Sequence, residues 1–111
     1  MDTFIDIVGH GHVEGVQLSE LTPLTTLVVW TWNSQYRFVV IEGNSVSVQG
    51  GTLFPDPTSA LLDGASKGGM DLIDGWICVG LNIELRAGYA RITTSPVVAI
   101  STESYRPPTV H

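Results

Sequence analysis

The chain reads as all-β: a small barrel or sandwich of seven to eight short, mostly antiparallel strands with at most one short helix. Three observations predict this class. Hydrophobic residues recur with period 2 far more often than 3.6, β-branched and aromatic residues gather in short runs, and glycine-containing turn signals separate those runs.

The first candidate strand is Thr3 to Val8. A glycine-containing segment, Gly9 to Gly15, follows it. Thr25 to Trp32 is β-branched and aromatic almost throughout, and the polar triplet Asn33-Ser34-Gln35 joins it to Tyr36 to Glu42. A two-residue Gly43-Asn44 turn then leads into Ser45 to Gln49, and glycine at the first central position is what a type II′ turn requires. These three strands form a meander. Thr58 to Asp63, after Pro55-Asp56-Pro57 and before Gly64, is the one segment with helical signals, a capping hydroxyl at its start and a glycine at its end. Gly64 to Gly69 reads as a loop, and Gly69 to Ile73 as a short strand closed by Asp74-Gly75.

Trp76 to Leu85 carries the clearest alternation. Ile77, Val79, Leu81, Ile83 and Leu85 share one face of an extended strand, so that aliphatic face should meet the core. Arg86-Ala87-Gly88 reads as a three-residue bulged turn into Tyr89 to Thr94. Val97 to Ser101 completes the set, and Arg106-Pro107-Pro108 lies in an extended tail.

A chain of 111 residues suits one domain. It divides into an N-terminal segment (1–24), the core strands (25–102) and the tail (103–111). Hydrophobic residues make up 43% against 14% charged, which predicts globular order. A chain of this size buries roughly 65% of its unfolded surface, enough for one core without staples. Eleven acidic and 5 basic residues give a formal net charge of -6. An acidic surface repels phosphate backbones, and the basic residues form no run, so nucleic acid is a disfavoured partner. Cys78 is the only cysteine, which excludes an intrachain disulfide. The Met1-Asp2-Thr3-Phe4-Ile5-Asp6 start lacks a basic, apolar leader pattern, and no apolar run approaches the roughly 20 residues of a membrane helix. The expected address is cytoplasmic, with no membrane association.

The most suggestive chemical group is His10-Gly11-His12-Val13-Glu14. In an extended backbone, residues i, i+2 and i+4 point the same way, so His10, His12 and Glu14 could converge on zinc or another divalent metal. The plainer reading is a glycine-rich connection with two solvated histidines. No cofactor is called for unless this cluster holds a metal. The same glycines match a spacing one residue longer than a dinucleotide fingerprint, but Val13 to Glu20 has no helical stripe to receive a pyrophosphate. Cys78 has no histidine near it in sequence, so a small, unreactive thiol is the expected role. The pairs Asp71/Asp74 and Asp56/Asp63 flank turns, where aspartates usually satisfy local backbone.

Trp30, Trp32 and Tyr36 are the candidate ligand-binding residues. Trp30 and Trp32 lie two apart and share a face, as do Tyr36 and Phe38. A face turned outward is a stacking platform for a sugar, a base or a peptide; a face turned inward is core, the expected role of large aromatics in so small a domain. Serine and threonine number 20, many on strands, and such polar but weakly charged faces and edges can pair with other chains. With no credible triad or phosphate loop, the pattern points away from an enzyme. It points to a binding module that recognises a protein or small ligand, or assembles with its own copies. A metal-binding protein or metal-dependent enzyme using His10, His12 and Glu14 is the alternative.

Overall fold

In a computed structural model that describes residues 10–103, the period-2 pattern resolves into strands throughout. The described strands are β1 (His10–Val13), β2 (Gly15–Gln17), β3 (Thr26–Thr31), β4 (Gln35–Glu42), β5 (Ser45–Gly50) and β6 (Phe54–Lys67). They continue as β7 (Met70–Asp74), β8 (Trp76–Cys78), β9 (Asn82–Ala87), β10 (Ala90–Thr93) and β11 (Val97–Glu103), with a single 3-10 turn at Leu18–Glu20 among the described residues. The predicted strand at Thr3 to Val8 and the tail beyond Glu103 lie outside them. No helix among the described residues is long and apolar enough to cross a membrane.

All pairings are antiparallel. Nine strands make one sheet in the order β1-β11-β3-β4-β5-β6-β9-β10, with β7 alongside β6, and β2 pairs with β8 in a separate ribbon. The ladder has open ends at β1 and β10, so the barrel does not close. Residues 94–97 instead cross between β9 and β3 through isolated bonds: Thr94 N–H to the Ile83 carbonyl (3.0 Å), Val97 N–H to that of Leu81 (2.9 Å), and Trp32 N–H to that of Pro96 (3.1 Å). Val16 of β2 and Ile77 of β8 join the same hydrophobic cluster as the large sheet, so two sheets share one interior.

Strand alternation builds that interior. Leu27, Phe38 and Val48 sit directly opposite one another on β3, β4 and β5, and none has measurable exposure. Val29, Val40, Val46, Leu62, Ile83, Leu85 and Ile100 are buried with them. Each such side chain contributes about 1.5–3 kcal/mol by leaving water. The Gly43-Asn44 turn forms as predicted: Gly43 has φ +58° and Asn44 has no positive φ.

Four local expectations are corrected. Thr58 to Asp63 is not helical but the middle of β6, whose backbone is hydrogen-bonded to β5 on one side and to β9 on the other. That double ladder outweighs the local capping signals, and Ala60 and Leu62 are buried while Leu61 is exposed. Pro55 and Pro57 fall at the start of β6, before β9 begins to pair at Leu61, where their missing N–H groups cost little. Only Gly68-Gly69 remains of the predicted loop. Trp76 to Leu85 is extended but broken, because Gly80 turns the chain at φ +93° and Leu81 N–H bonds the Cys78 carbonyl at 3.1 Å. The aliphatic row still faces inward, with Ile77, Ile83 and Leu85 buried. The turn after β9 uses two residues, Gly88 and Tyr89, since Ala87 pairs with Ala90.

Gly64 shows why β6 can serve both neighbours. It lies at a bulge in the β9 pairing, and a Cβ there would stand 2.1 Å from the Ile73 carbonyl oxygen of β7. Gly43 has a positive φ, but a Cβ there would meet nothing within 4 Å. Gly64→Ala should therefore destabilise by about 2–4 kcal/mol through clash plus strain, against about 1 kcal/mol for Gly43→Ala through backbone strain alone. Urea unfolding of the two variants checks the difference; equal losses would contradict the close β6–β7 approach.

Candidate functional site

Residues directly opposite in an antiparallel pair share a face, so the register assigns the outer surface as firmly as the core. One outer row runs His12, Ser101, Val28, Arg37, Gln49 across β1, β11, β3, β4 and β5, with Ser101 itself buried among its neighbours. A second runs Ala99, Trp30, Gln35 across β11, β3 and β4. The His12 ring stacks on Trp30 diagonally across these rows, with centroids 6.3 Å apart and planes 24° from parallel. Trp30 is half-buried as a result. Trp32 follows the end of β3 and stands 74% exposed. Arg37 is exposed and makes no ion pair among the described residues.

The structure thus divides the aromatic candidates. Trp30 and Trp32 belong to the surface. Tyr36, only 7% exposed, belongs to the core, where its ring lies 6.1 Å from that of Phe38. The burial expected of large aromatics holds for Tyr36 and Phe38 and not for Trp32. The reason is parity: Leu27 and Val29 take the inner positions of β3, so Trp30 falls on the other side.

β1 carries His10 and His12 of the proposed metal set and ends before Glu14. The alternation that would align Glu14 with His12 stops at Val13, the last residue of β1. Glu14 sits at the bend into β2, where its carbonyl accepts the Val79 N–H at 2.8 Å. His10 is opposite Glu103 in the ladder, and His12 is engaged with Trp30. Among the described residues no group of three or more His, Cys, Asp or Glu could hold a metal ion. The glycine-spaced segment continues as β1 and β2, with no helix to meet a phosphate.

Other reactive side chains are occupied locally. Burial raises the Cys78 thiol above its ordinary value, so at neutral pH it stays protonated and weakly nucleophilic. Asp63 receives a bidentate grip from Arg86, with Nε 2.8 and 3.0 Å from its oxygens and Nη2 at 2.8 Å. Those hydrogen bonds, with the aspartate charge, hold the guanidinium even more firmly protonated.

A polar network that the sequence did not announce joins β6, β9 and β10. The Ser66 hydroxyl bonds the Glu84 carboxylate and accepts the Gly69 N–H (3.0 Å), while Asn82 Oδ1 accepts the Gly68 N–H (2.9 Å). Thr93 Oγ1 donates to the other Glu84 oxygen (2.7 Å), and Asn82 Nδ2 donates to the Thr94 carbonyl (2.6 Å). Ser66 has no exposed surface, so no substrate reaches its hydroxyl. The network fixes the Gly68-Gly69 turn over the sheet. A shallow depression lined by Ser45, Ser59, Leu61 and Arg86 holds about 240 Å³. That is below the roughly 300–1,000 Å³ of small-molecule pockets.

Comparison with protein-family models, curated proteins and solved structures finds no match to this chain.

The His12–Trp30 stack has a measurable consequence. In a chain with Trp32→Phe and Trp76→Phe, the further change His12→Ala should shift Trp30 emission to the red and cost about 1 kcal/mol of stability. Unchanged emission would contradict the stack.

Proposed function

We propose that this chain is a non-catalytic recognition module whose contact surface is the outer face of β1, β11, β3 and β4, centred on Trp30 and Trp32. The observation that carries this reading is the exposure of Trp32, just past the end of β3, together with the half-burial of Trp30 on a face that also carries Arg37. Tyr36, Phe38 and Phe54 already fill the aromatic positions of the interior. A solvent-facing tryptophan costs hydrophobic free energy and does nothing for the core, whereas at a contact surface tryptophan and arginine supply most of the binding energy.

The surface suits a protein or ligand that presents a flat or apolar group to the tryptophans and a hydrogen-bond acceptor to Arg37 and Gln35. The polar groups serve orientation, while the rings supply area. The acidic charge of the chain disfavours nucleic acid as that partner. The reading takes the cytoplasm as its setting, in keeping with a lone protonated thiol at Cys78.

Trp32→Ala should change stability by less than about 0.5 kcal/mol, because the side chain is exposed. It should weaken partner binding by about tenfold or more, the scale of a central aromatic contact. Quantitative retention of cell-extract components on immobilised wild-type, Trp30→Ala and Trp32→Ala chains, followed by titration of the purified species, makes the comparison. Retention indifferent to both substitutions would overturn the assignment of this face.

A further inference from the structure

We infer that copies of this chain assemble head to tail, the free edge of β7 in one copy pairing antiparallel with the free edge of β10 in the next. This goes beyond recognition through the tryptophan face and uses a different part of the surface. Two observations motivate it. Among the described residues β7 is hydrogen-bonded only to β6, and β10 only to β9, so each presents an unpaired row of backbone donors and acceptors. All five residues of β7 are exposed, including Met70 (68%), Leu72 and Ile73, a concentration of apolar side chains on an open strand edge.

Charge decides which edge meets which. β7 carries Asp71 and Asp74, and neither makes an ion pair among the described residues. Across β9 and β10, Arg86 is held by Asp63, leaving Arg91 as the exposed cation of that edge. Pairing β7 with another β7 would bring four aspartates into one short ladder, and pairing β10 with another β10 would bring two Arg91 together. Like charges across a ladder destabilise it, and opposite charges stabilise it. Of the pairings between these two edges, only the heterologous one joins acid to base.

The register supports the same choice. Setting Asp74 opposite Arg91 sets Ile73 opposite Ile92. Asp74 and Arg91 both lie on the outer face, Asp74 through its partner Gly64 and Arg91 through Arg86 and Leu61. Ile73 and Ile92 both lie on the inner face, through Ala65 and Leu85. One antiparallel register therefore continues both faces of the sheet from copy to copy and shields Ile73, which is 43% exposed in the single chain. A heterologous contact repeats until it closes into a ring or extends as a filament.

Sedimentation velocity on the full chain at micromolar concentration tests the inference. The wild type should sediment as three or more copies, and raised salt should shift it toward monomer. Asp74→Arg and Arg91→Asp should each give monomer with unchanged circular dichroism, and the double variant should recover the assembly. Strict monomer, a species that stops at two copies, or a mass indifferent to these reversals would overturn it. A second measurement does not depend on the charges. In a Cys78→Ser background, Ile73→Cys with Ile92→Cys should oxidise to a ladder of linked copies, and neither substitution alone should cross-link. Covalent dimers from Ile73→Cys alone would show β7 paired with β7 and contradict the proposal. Trp32→Ala should leave the assembly intact, which separates this result from the fate of the tryptophan face.

Discussion

The burial of Phe38 between Leu27 and Val48 sets everything else, because it fixes which side of three adjacent strands is inside. Side chains alternate with a period of two, so a slip of one residue between β3 and β4 would exchange the whole set of inner and outer positions. With Phe38, Tyr36 and Val40 inside on β4, Arg37 must be outside. With Leu27 and Val29 inside on β3, Trp30 must be outside. The tryptophan face is the other side of the core decision, and no separate device is needed to create it.

How much of this was legible depended on how unequal the two faces of each strand are. Along Tyr36 to Glu42 the polar Arg37 opposes Tyr36 and Phe38, and the strand and its turn read correctly. Along Thr25 to Trp32 both faces are apolar, Leu27 and Val29 against Val28 and Trp30, so alternation identifies a strand without saying which side is wet. Its neighbours in the sheet decide that. Thr58 to Asp63 misled for a different reason: its capping and stop signals are local, while the ladders to β5 and β9 are not. Gly64, read as a helix stop, is the residue that lets β7 approach β6. The reading of His10, His12 and Glu14 as one strand face extended strand geometry through Glu14, whereas β1 ends one residue earlier. Leu24 at φ +71° and the Ser66–Glu84 bond arise from tertiary placement and leave no pattern in the chain.

Several polar groups of the described residues serve the architecture. Asp63 holds Arg86, Glu84 holds Ser66 and Thr93, and Thr31 Oγ1 bonds Ser34 and Ser95. Groups so engaged are satisfied donors and acceptors, which stabilise by avoiding the larger cost of leaving buried polar atoms unpaired. What remains available to other molecules is surface of two kinds: an aromatic face backed by a rigid sheet, and strand edges with unused backbone groups.

Amide hydrogen exchange followed by NMR tests the central claim, that alternating strands around Phe38 form one continuous core with β6 at its middle. Amides of β3, β4, β5, β9 and residues 58–66 should exchange slowest and together, at the rate of global unfolding. Residues 58–63 should show the strong sequential Hα–HN contacts of extended chain. Helical contacts there, or fast exchange across β6 while β3 and β4 stay protected, would contradict the account.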